Sequence, residues 1–226
     1  MPLTNDKRVP MMHRRRADGL DRIIALCMWD SPLKADSGRW QLESRRFWEY
    51  AMTNEELVER NRTRRIYQIG FVTRDVEKSM RAWIDTLGVG PWTVLTFTEQ
   101  TMKNLKVDGN PFTEPFKFLI AATQIGDMQI ELIQPVYGQT HLAKFLEQKG
   151  EGFHHIKEQV GDDKLPGFLS ELRGKGIGIL QTGDFGPDVH YHLDTESKLQ
   201  FIYEIGNCVP VDLPAGMASI FTPEKA

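Results

Sequence analysis

Four side chains that could hold a metal ion occur at matching places in two similar segments of the chain. The first segment opens on a strand-like stretch with Gln68 and closes on one with Glu131, whereas the second opens with His155 and closes with Glu204. Together they offer three oxygen donors and one nitrogen donor. This set suits Zn, Ni, Co, Mn or Fe(II), with positions left open for water or substrate. We therefore expect one divalent metal ion bound by these four residues.

Strand alternation predicts that these side chains share a polar concavity, because residues i and i+2 of a strand point to the same face. On the strand of His155, that face also carries Lys157 and Gln159, which we predict to contact substrate. Lys157 would bind an acidic group of the substrate. The alternative is that the Lys157 side chain is solvated or forms a salt bridge within the protein.

His190 and His192 share one face of a predicted strand and could bind metal or contact substrate, or could simply form a polar wall of the cavity. We take His192 as the third candidate for substrate contact. His154 alternates with His155 and is expected to point toward the helices.

The elements that must position these residues repeat in the order strand, helix, then three strands. The predicted strands lie at residues 65–73, 92–97, 116–123, 127–133, 153–160, 177–181, 189–194 and 199–205, and the predicted helices follow Asp75 and span 165–173. We predict an α+β fold in which two βαβββ modules form one incomplete barrel around a central cavity, with the helices outside. A loop at 98–115 could lie over the cavity, and the alternative is a disordered segment.

The predicted organisation has five parts, and the first is an N-terminal extension that is partly helical. Thr53 and Glu56 fit a capping box that would start one of its helices. The boundaries are 1–64 for the extension, 65–136 for the first module, 137–151 for a connector with a short helix, 152–208 for the second module and 209–226 for a C-terminal tail.

Composition excludes several classes of function. A net charge of −3 argues against broad electrostatic binding to nucleic acid or anionic membranes. Cys27 and Cys208 form no CxxC pair, so we expect a reduced, cytoplasmic setting. No apolar run approaches the roughly 18 residues of a membrane span, and no Gly-rich phosphate loop is present. The aromatic residues of the extension need a surface to pack on, which favours a homodimer.

Residues 66–207 resemble the vicinal oxygen chelate superfamily, which includes glyoxalase I, methylmalonyl-CoA epimerase, extradiol dioxygenases and bleomycin-resistance proteins. The matching stretches are 68–72 with 75–79, 87–91, 130–135 and 152–156. The connector helix followed by residues 150–155 is most similar to methylmalonyl-CoA epimerase. The order Gln, Glu, His, Glu is instead similar to animal-type glyoxalase I, since the epimerases usually carry His at the first position and Gln at the second.

This resemblance implies a metal-dependent isomerase, epimerase or lyase that removes a proton next to a metal-chelated carbonyl group. Glu204 or Glu131 would be the catalytic base, and the substrate would be an acyl-CoA or another carboxylic acid derivative. One alternative is a non-catalytic, resistance-type protein that binds a small molecule. Another alternative is an oxygen-using dioxygenase. The extradiol dioxygenases bind their metal through two histidines and one carboxylate, and this chain departs from that set because Gln68 replaces the first histidine. Family members often pair, which agrees with a homodimer.

Overall fold

The computed structural model describes residues 52–223. What the sequence predicts for residues 1–51 and for the last three residues lies outside this range. The helices are α1 (Asn54–Arg62), α2 (Val76–Leu87), α3 (His141–Lys149), α4 (Leu165–Gly174) and α5 (Glu196–Leu199). The strands are β1 (Arg65–Val72), β2 (Thr93–Thr98), β3 (Lys103–Val107), β4 (Asn110–Pro111), β5 (Lys117–Ile125), β6 (Met128–Tyr137), β7 (Gly152–Gln159), β8 (Ile179–Phe185), β9 (Asp188–Leu193), β10 (Ile202–Gly206) and β11 (Ala218–Ile220).

The strands of the described region form one curled sheet in the order β11-β2-β5-β6-β1-β7-β10-β9-β8-β3-β4. Its centre reads β2-β5-β6-β1 in the first module and, in mirrored order, β7-β10-β9-β8 in the second. The sheet is open, because no pairing within residues 52–223 joins β11 to β4. The predicted α+β fold of two βαβββ modules in an incomplete barrel is therefore confirmed.

The two modules meet where β1 and β7 pair in antiparallel fashion, and we call this pairing the β1–β7 junction. At its centre Ile69 lies opposite Ile156. Gln68 and His155 each precede this pair by one residue, so they occupy equivalent positions in the two modules. The sequence predicted this equivalence from the repeat alone.

Gly70 and Lys157 are likewise equivalent, since each follows the central pair by one residue. On the outer side of the junction, Glu131 of β6 lies opposite Gly70 and Glu204 of β10 lies opposite Lys157. The four predicted metal ligands are thus carried by four adjacent strands, β6, β1, β7 and β10, which bring them into one region of the concave face.

Helix ends follow the signals in the sequence. The Thr53 side chain accepts from the Glu56 amide while Glu56 accepts from the Thr53 amide, so the predicted capping box is present. Asp75 caps α2 by accepting from the Lys78 amide. Gly88 ends that helix with φ of 65°, a left-handed conformation that glycine adopts at little cost.

The apolar residues lie on both sides of the sheet. On the convex side, α2 packs Val76 and Met80 against a cluster that includes Trp92 and Leu132. On the concave side, Phe97 and Phe118 stack with their ring centroids 5.2 Å apart and form part of the cavity wall. No helix among residues 52–223 is long and apolar enough to cross a membrane.

The predicted loop at 98–115 differs from the structure, because it contains β3 and β4. These strands form a hairpin whose two-residue turn is Asp108-Gly109, both with positive φ, and β3 then pairs with β8 of the second module. Positive φ at both turn residues is the backbone that favours Asp-Gly in tight hairpins. Met102, just before β3, does line the cavity.

The last predicted strand is wrong at its start. Residues 196–199 form the short helix α5, and Gln200 has φ of 67°, so the strand begins at Ile202. The Thr195 hydroxyl donates to the Phe201 carbonyl and accepts from the Tyr203 amide, which fixes this irregular segment. The tail at 209–226 contributes β11, which pairs with β2.

Candidate functional site

A cavity of about 100 Å³ lies on the concave face of the sheet, with a polar floor and a largely aromatic and aliphatic wall. The polar groups come from strands on both sides of the β1–β7 junction, and the apolar groups come from both modules and from α3. The lining residues are Gln68, Phe97, Met102, Phe118, Ile120, Glu131, Ile133, Leu142, Lys157, Gln181, Phe185, Asp188, His190, His192 and Glu204.

The polar floor follows from strand register. Gln68 lies opposite Lys157, Lys157 opposite Glu204, and Glu204 opposite His192, so these residues form one row across four strands. Cross-strand neighbours on one face have their Cβ atoms about 5 Å apart, close enough for their side chains to meet. The row therefore concentrates hydrogen-bonding and charged groups in an otherwise apolar interior.

Glu204 is the most heavily contacted group of the site. Its Oε2 lies 3.1 Å from His155 Nε2 and 3.1 Å from His192 Nε2, and its Oε1 lies 3.0 Å from Lys157 Nζ. Burial by itself would raise the pKa of Glu204, but Lys157 and the two imidazoles hold that pKa well below its usual range. Glu204 is therefore an ionised carboxylate at neutral pH.

Glu131 is buried in the same region but has the opposite protonation state. Its Oε2 lies 3.5 Å from His155 Nε2. Burial, and then the negative charge of Glu204, raise the pKa of Glu131 to about 8, while Lys157 opposes this shift. At neutral pH the site thus pairs a protonated carboxyl group with an ionised one.

Three histidines in and around the cavity are neutral because they are buried. Burial lowers the pKa of His141, His155 and His190 to about 3, because each ring would have to hold a charge away from water. A neutral imidazole keeps a lone pair on one nitrogen, which is the form that binds metal ions. Lys157 is a cation beside Glu204, with its Nζ 3.0 Å from Glu204 Oε1.

His154 packs against α3, with its ring centroid 4.6 Å from that of Phe145, and a β-bulge also places it beside His155. Gly70 pairs with His155 and Phe71 with Phe153, so His154 is the extra residue of β7. The bulge brings both rings together, with His154 Nδ1 at 2.9 Å from His155 Nδ1, whereas regular alternation would have separated them. His154 is fully buried.

Five of the predicted site residues line the cavity, and a sixth, His155, lies directly beside it with Nε2 facing both carboxyl groups. Gln159 does not reach the cavity. It lies at the end of β7, where its Nε2 donates to the Asn207 carbonyl at 3.3 Å and its Oε1 accepts from Arg65 at 3.4 Å. Gln68 lines the cavity and donates from Nε2 to Gln129 Oε1 at 2.7 Å.

Two polar residues near the cavity were not singled out from the sequence. Asp188 lines it from the same face of β9 as His190 and His192, and this i, i+2, i+4 spacing was a usable signal. Gln181 lies opposite His192 on β8, and its Oε1 accepts from the His141 amide at 3.0 Å. Only the tertiary structure reveals that contact.

Two sets of donors could hold a metal ion. The first is the predicted set of Gln68, Glu131, His155 and Glu204. The second consists of ring nitrogens of His154, His155 and His192 that lie within 4.8 Å of one another. The first set includes a carboxylate and borders the cavity, so an ion bound there can also reach a substrate, whereas the ring of His154 is enclosed by protein.

Comparison with known proteins gives one family match. The sequence model of the Glyoxalase/Bleomycin resistance protein/Dioxygenase superfamily matches residues 67–190, more than half of the chain. No curated protein sequence gives a significant match.

Solved structures with similar chains include a hypothetical protein from Bacillus halodurans C-125, with 20% identity over 67% of this chain and 99% of that chain and a TM-score of 0.47. A variant of Streptomyces coelicolor methylmalonyl-CoA epimerase in complex with 2-nitronate-propionyl-CoA has 19% identity over 66% and 98% and a TM-score of 0.45. Methylmalonyl-CoA epimerase from Mycobacterium tuberculosis has 18% identity over 64% and 88% and a TM-score of 0.44.

Proposed function

The chain belongs to the Glyoxalase/Bleomycin resistance protein/Dioxygenase superfamily, and we propose that it is a metal-dependent isomerase, epimerase or lyase that moves a proton next to a carbonyl group. One observation carries this proposal. Two buried carboxyl groups, Glu131 and Glu204, flank His155 Nε2 at 3.5 and 3.1 Å and have pKa values shifted in opposite directions. Such a pair supplies an acid and a base in one cavity at the same pH.

The donor set fits a divalent ion. Two donor atoms that are each about 2.1 Å from one ion, at tetrahedral or octahedral angles, lie about 3.0–3.4 Å apart. The separations of His155 Nε2 from Glu204 Oε2 and Glu131 Oε2, 3.1 and 3.5 Å, are close to this spacing. His155 Nε2 is also buried without a hydrogen bond from any residue of the described range. We propose that Gln68, Glu131, His155 and Glu204 hold the ion.

When bound, a divalent ion would polarise the carbonyl oxygen of a substrate and so make the adjacent C–H more acidic. The protein itself supplies the proton transfer. Glu204, kept ionised by Lys157, is the group that can accept the proton, and Glu131, whose pKa of about 8 keeps it protonated when no ion is bound, can return a proton while it is not a ligand of the ion. Return to the opposite face of the carbon gives epimerisation, and return to a neighbouring atom gives isomerisation.

The cavity wall limits the reacting end of the substrate to a small, mostly apolar group. Phe97, Phe118 and Phe185 exclude water, which strengthens the electrostatic interactions inside. Lys157 is close enough to Glu204 to neutralise it in the substrate-free protein, and it can also hold an anionic substituent of the substrate. We propose an acyl thioester such as an acyl-CoA, or another carboxylic acid derivative, as the substrate class.

A second function is favoured by the Lys157 contact. The Lys157 ammonium lies 3.0 Å from Glu204 Oε1 and neutralises its negative charge, so the Glu204 carboxylate does not need a metal ion for charge compensation. A protein that only binds a small molecule in this cavity would therefore not require a metal ion. Metal content separates the two functions.

The deciding experiment combines elemental analysis with hydrogen exchange. The purified protein and its Glu204→Gln variant are analysed for Zn, Ni, Co, Mn and Fe, and each is then incubated in deuterated water with thioesters and other carboxylic acid derivatives that bear an α-proton. We expect about one divalent ion per wild-type chain, α-deuteration by the wild-type protein and loss of deuteration in the variant. Absence of metal after incubation with all five ions, together with ligand binding and no exchange, would favour the binding protein.

A further inference from the structure

Gln181 lines the cavity with a side-chain amide whose donor end the protein does not use. The residue is 1% exposed. Its Oε1 accepts from the His141 amide at 3.0 Å, whereas its Nε2 is buried with no hydrogen-bond partner among residues 52–223. A buried donor without a partner is uncommon in folded proteins, so this one calls for a physical explanation.

The orientation of the Gln181 amide is fixed by α3. The backbone N–H of His141 is a donor, so the carbonyl end of the Gln181 side chain must face it. A flipped amide would bring two donors together and lose this hydrogen bond. The free end of the side chain is therefore the NH₂ group, which can only donate.

Gln181 is also the outermost member of the polar row on the cavity floor. It lies opposite His192, which in turn lies opposite Glu204. Leu142, the second residue of α3, lines the cavity as well, so the N-terminus of α3 borders the cavity at this end. The first amides of a helix carry a partial positive charge. Both features favour an acceptor atom here, two strands away from Glu204.

Helix capping alone does not explain why the Gln181 amide is buried. Gln134 makes the same kind of contact, because its Oε1 accepts from the amide of Val76, the first residue of α2, at 2.9 Å. Gln134 is only half-buried and does not line the cavity. What distinguishes Gln181 is a free donor enclosed at the cavity wall.

We propose that the NH₂ group of Gln181 binds a neutral acceptor oxygen of the ligand, a second carbonyl oxygen distinct from the carbonyl at the reacting carbon. This inference rests on the proposed function, since it takes the same cavity as the binding site. It narrows the substrate class to carboxylic acid derivatives that carry an oxo group elsewhere on the acyl chain. Gln181 is then a residue that determines specificity.

Charge compensation favours a neutral oxygen over a carboxylate at this position. Among the described residues that line the cavity, Lys157 is the only Lys or Arg, and its Nζ lies 3.0 Å from Glu204 Oε1. Lys157 is on β7, three strands from β8 in the sheet order. A carboxylate buried beside Gln181 would therefore lack a counter-ion, which is costly. A carbonyl oxygen needs only the N–H donor.

Four matched thioesters test the preference of the cavity for an oxo group. The probes are the methyl thioester of hexanoic acid and those of its derivatives with a ketone at the third, fourth or fifth carbon. Calorimetric titration measures the affinity of the wild-type protein for each. We expect at least one oxo thioester to bind about tenfold more tightly than the hexanoyl thioester, because its ketone oxygen gives the buried donor a partner.

Gln181→Glu separates ligand binding from helix capping. A carboxylate retains an oxygen that accepts from the His141 amide and is favoured at a helix N-terminus, but it has no N–H to donate. We expect this variant to keep the thermal stability of the wild type within a few degrees and to lose the oxo preference. Gln181→Met removes both functions, so its stability and its oxo preference should both fall. Gln134→Glu is the matched control and should keep the oxo preference.

The outcomes distinguish this inference from the proposed function. Equal binding of hexanoyl and oxo thioesters by the wild-type protein, or an oxo preference that persists in Gln181→Met, would overturn the role of Gln181 and leave the proposed reaction standing. An oxo preference that depends on Gln181, in a protein that catalyses no α-deuteration, would support that role and remove the proposed reaction. Absence of binding by all four thioesters would overturn both the role of Gln181 and the proposed substrate class.

Discussion

The ring of His155 lies directly over the backbone of Gly70. A Cβ atom built on Gly70 would be 2.1 Å from His155 Cε1 and 2.4 Å from His155 Nε2, far inside van der Waals contact. Because Gly70 and His155 are opposite each other across the β1–β7 junction, the absence of a side chain on β1 is what makes room for the ring.

Gly70→Ala should therefore displace His155. We expect overpacking to lower the free energy of unfolding by about 1–3 kcal/mol, and Zn²⁺ affinity to fall at least tenfold. Urea denaturation and calorimetric titration measure the two effects. Gly167→Ala is the control, since a Cβ on this helical glycine meets no atom within 4 Å and alanine favours helix. Unchanged Zn²⁺ affinity in Gly70→Ala would count against His155 as a ligand.

Lys157 should compete with a divalent ion for Glu204. Its ammonium lies 3.0 Å from Glu204 Oε1, and Glu204 raises the pKa of Lys157 against the opposing effect of burial. Lys157→Met removes this cation, so we expect Zn²⁺ to bind at least tenfold more tightly, as measured by competition with a chelator. Lys144→Met is the control, because Lys144 pairs with Asp108 at the surface, away from the cavity. Weaker binding in Lys157→Met would show that the ammonium instead organises the site.

Acid should destabilise the metal-free protein strongly. The pKa values of His141, His155 and His190 are about 3 in the folded chain because of burial, and near 6.5 in the unfolded chain. Between these values only the unfolded chain takes up the protons, so the free energy of unfolding falls as pH decreases from 6.5 toward 3. Each group contributes roughly 1 kcal/mol per pH unit. Urea midpoints measured from pH 7 to pH 4.5 check this, and His141→Gln should make the decrease shallower.

Glu131 gives the opposite dependence. Its pKa is about 8 in the folded chain and about 4.5 when unfolded. Between these values the folded protein keeps a proton that the unfolded chain releases, so this group lowers stability as pH rises. Glu131→Gln should therefore become progressively more stable than wild type from pH 5 to pH 8, with a constant difference above pH 8, in urea denaturation with chelator present. Glu147→Gln, at an exposed site on α3, should show no such trend.

The repeat and the strand alternation were enough to predict which strands carry Gln68, Glu131, His155 and Glu204. Register across the β1–β7 junction then places the equivalent residues as the repeat implies, because a period of two fixes the face of every strand residue. The hairpin of β3 and β4 was also within reach of sequence reasoning, since Asp108-Gly109 is a strong turn signal.

Two features of the site could not be predicted from local pattern. The bulge at His154 depends on how β7 pairs with β1, and alternation alone does not predict that this ring lies beside that of His155. The opposite pKa shifts of Glu131 and Glu204 depend on the position of one ammonium group, Lys157, relative to two buried carboxyl groups. The predicted homodimer, cytoplasmic location and division of the chain into five parts stay predictions.

The β1–β7 junction also bears on how the protein folds. The strands that meet there belong to separate modules, so their pairing requires closure of a long loop and is expected among the slow steps of folding. Neither half of the chain alone contains both Gln68 and His155. An ion or ligand held across the junction binds only the joined state and shifts the equilibrium toward it by mass action. Binding of an ion or ligand in the cavity therefore requires that the two modules have already paired.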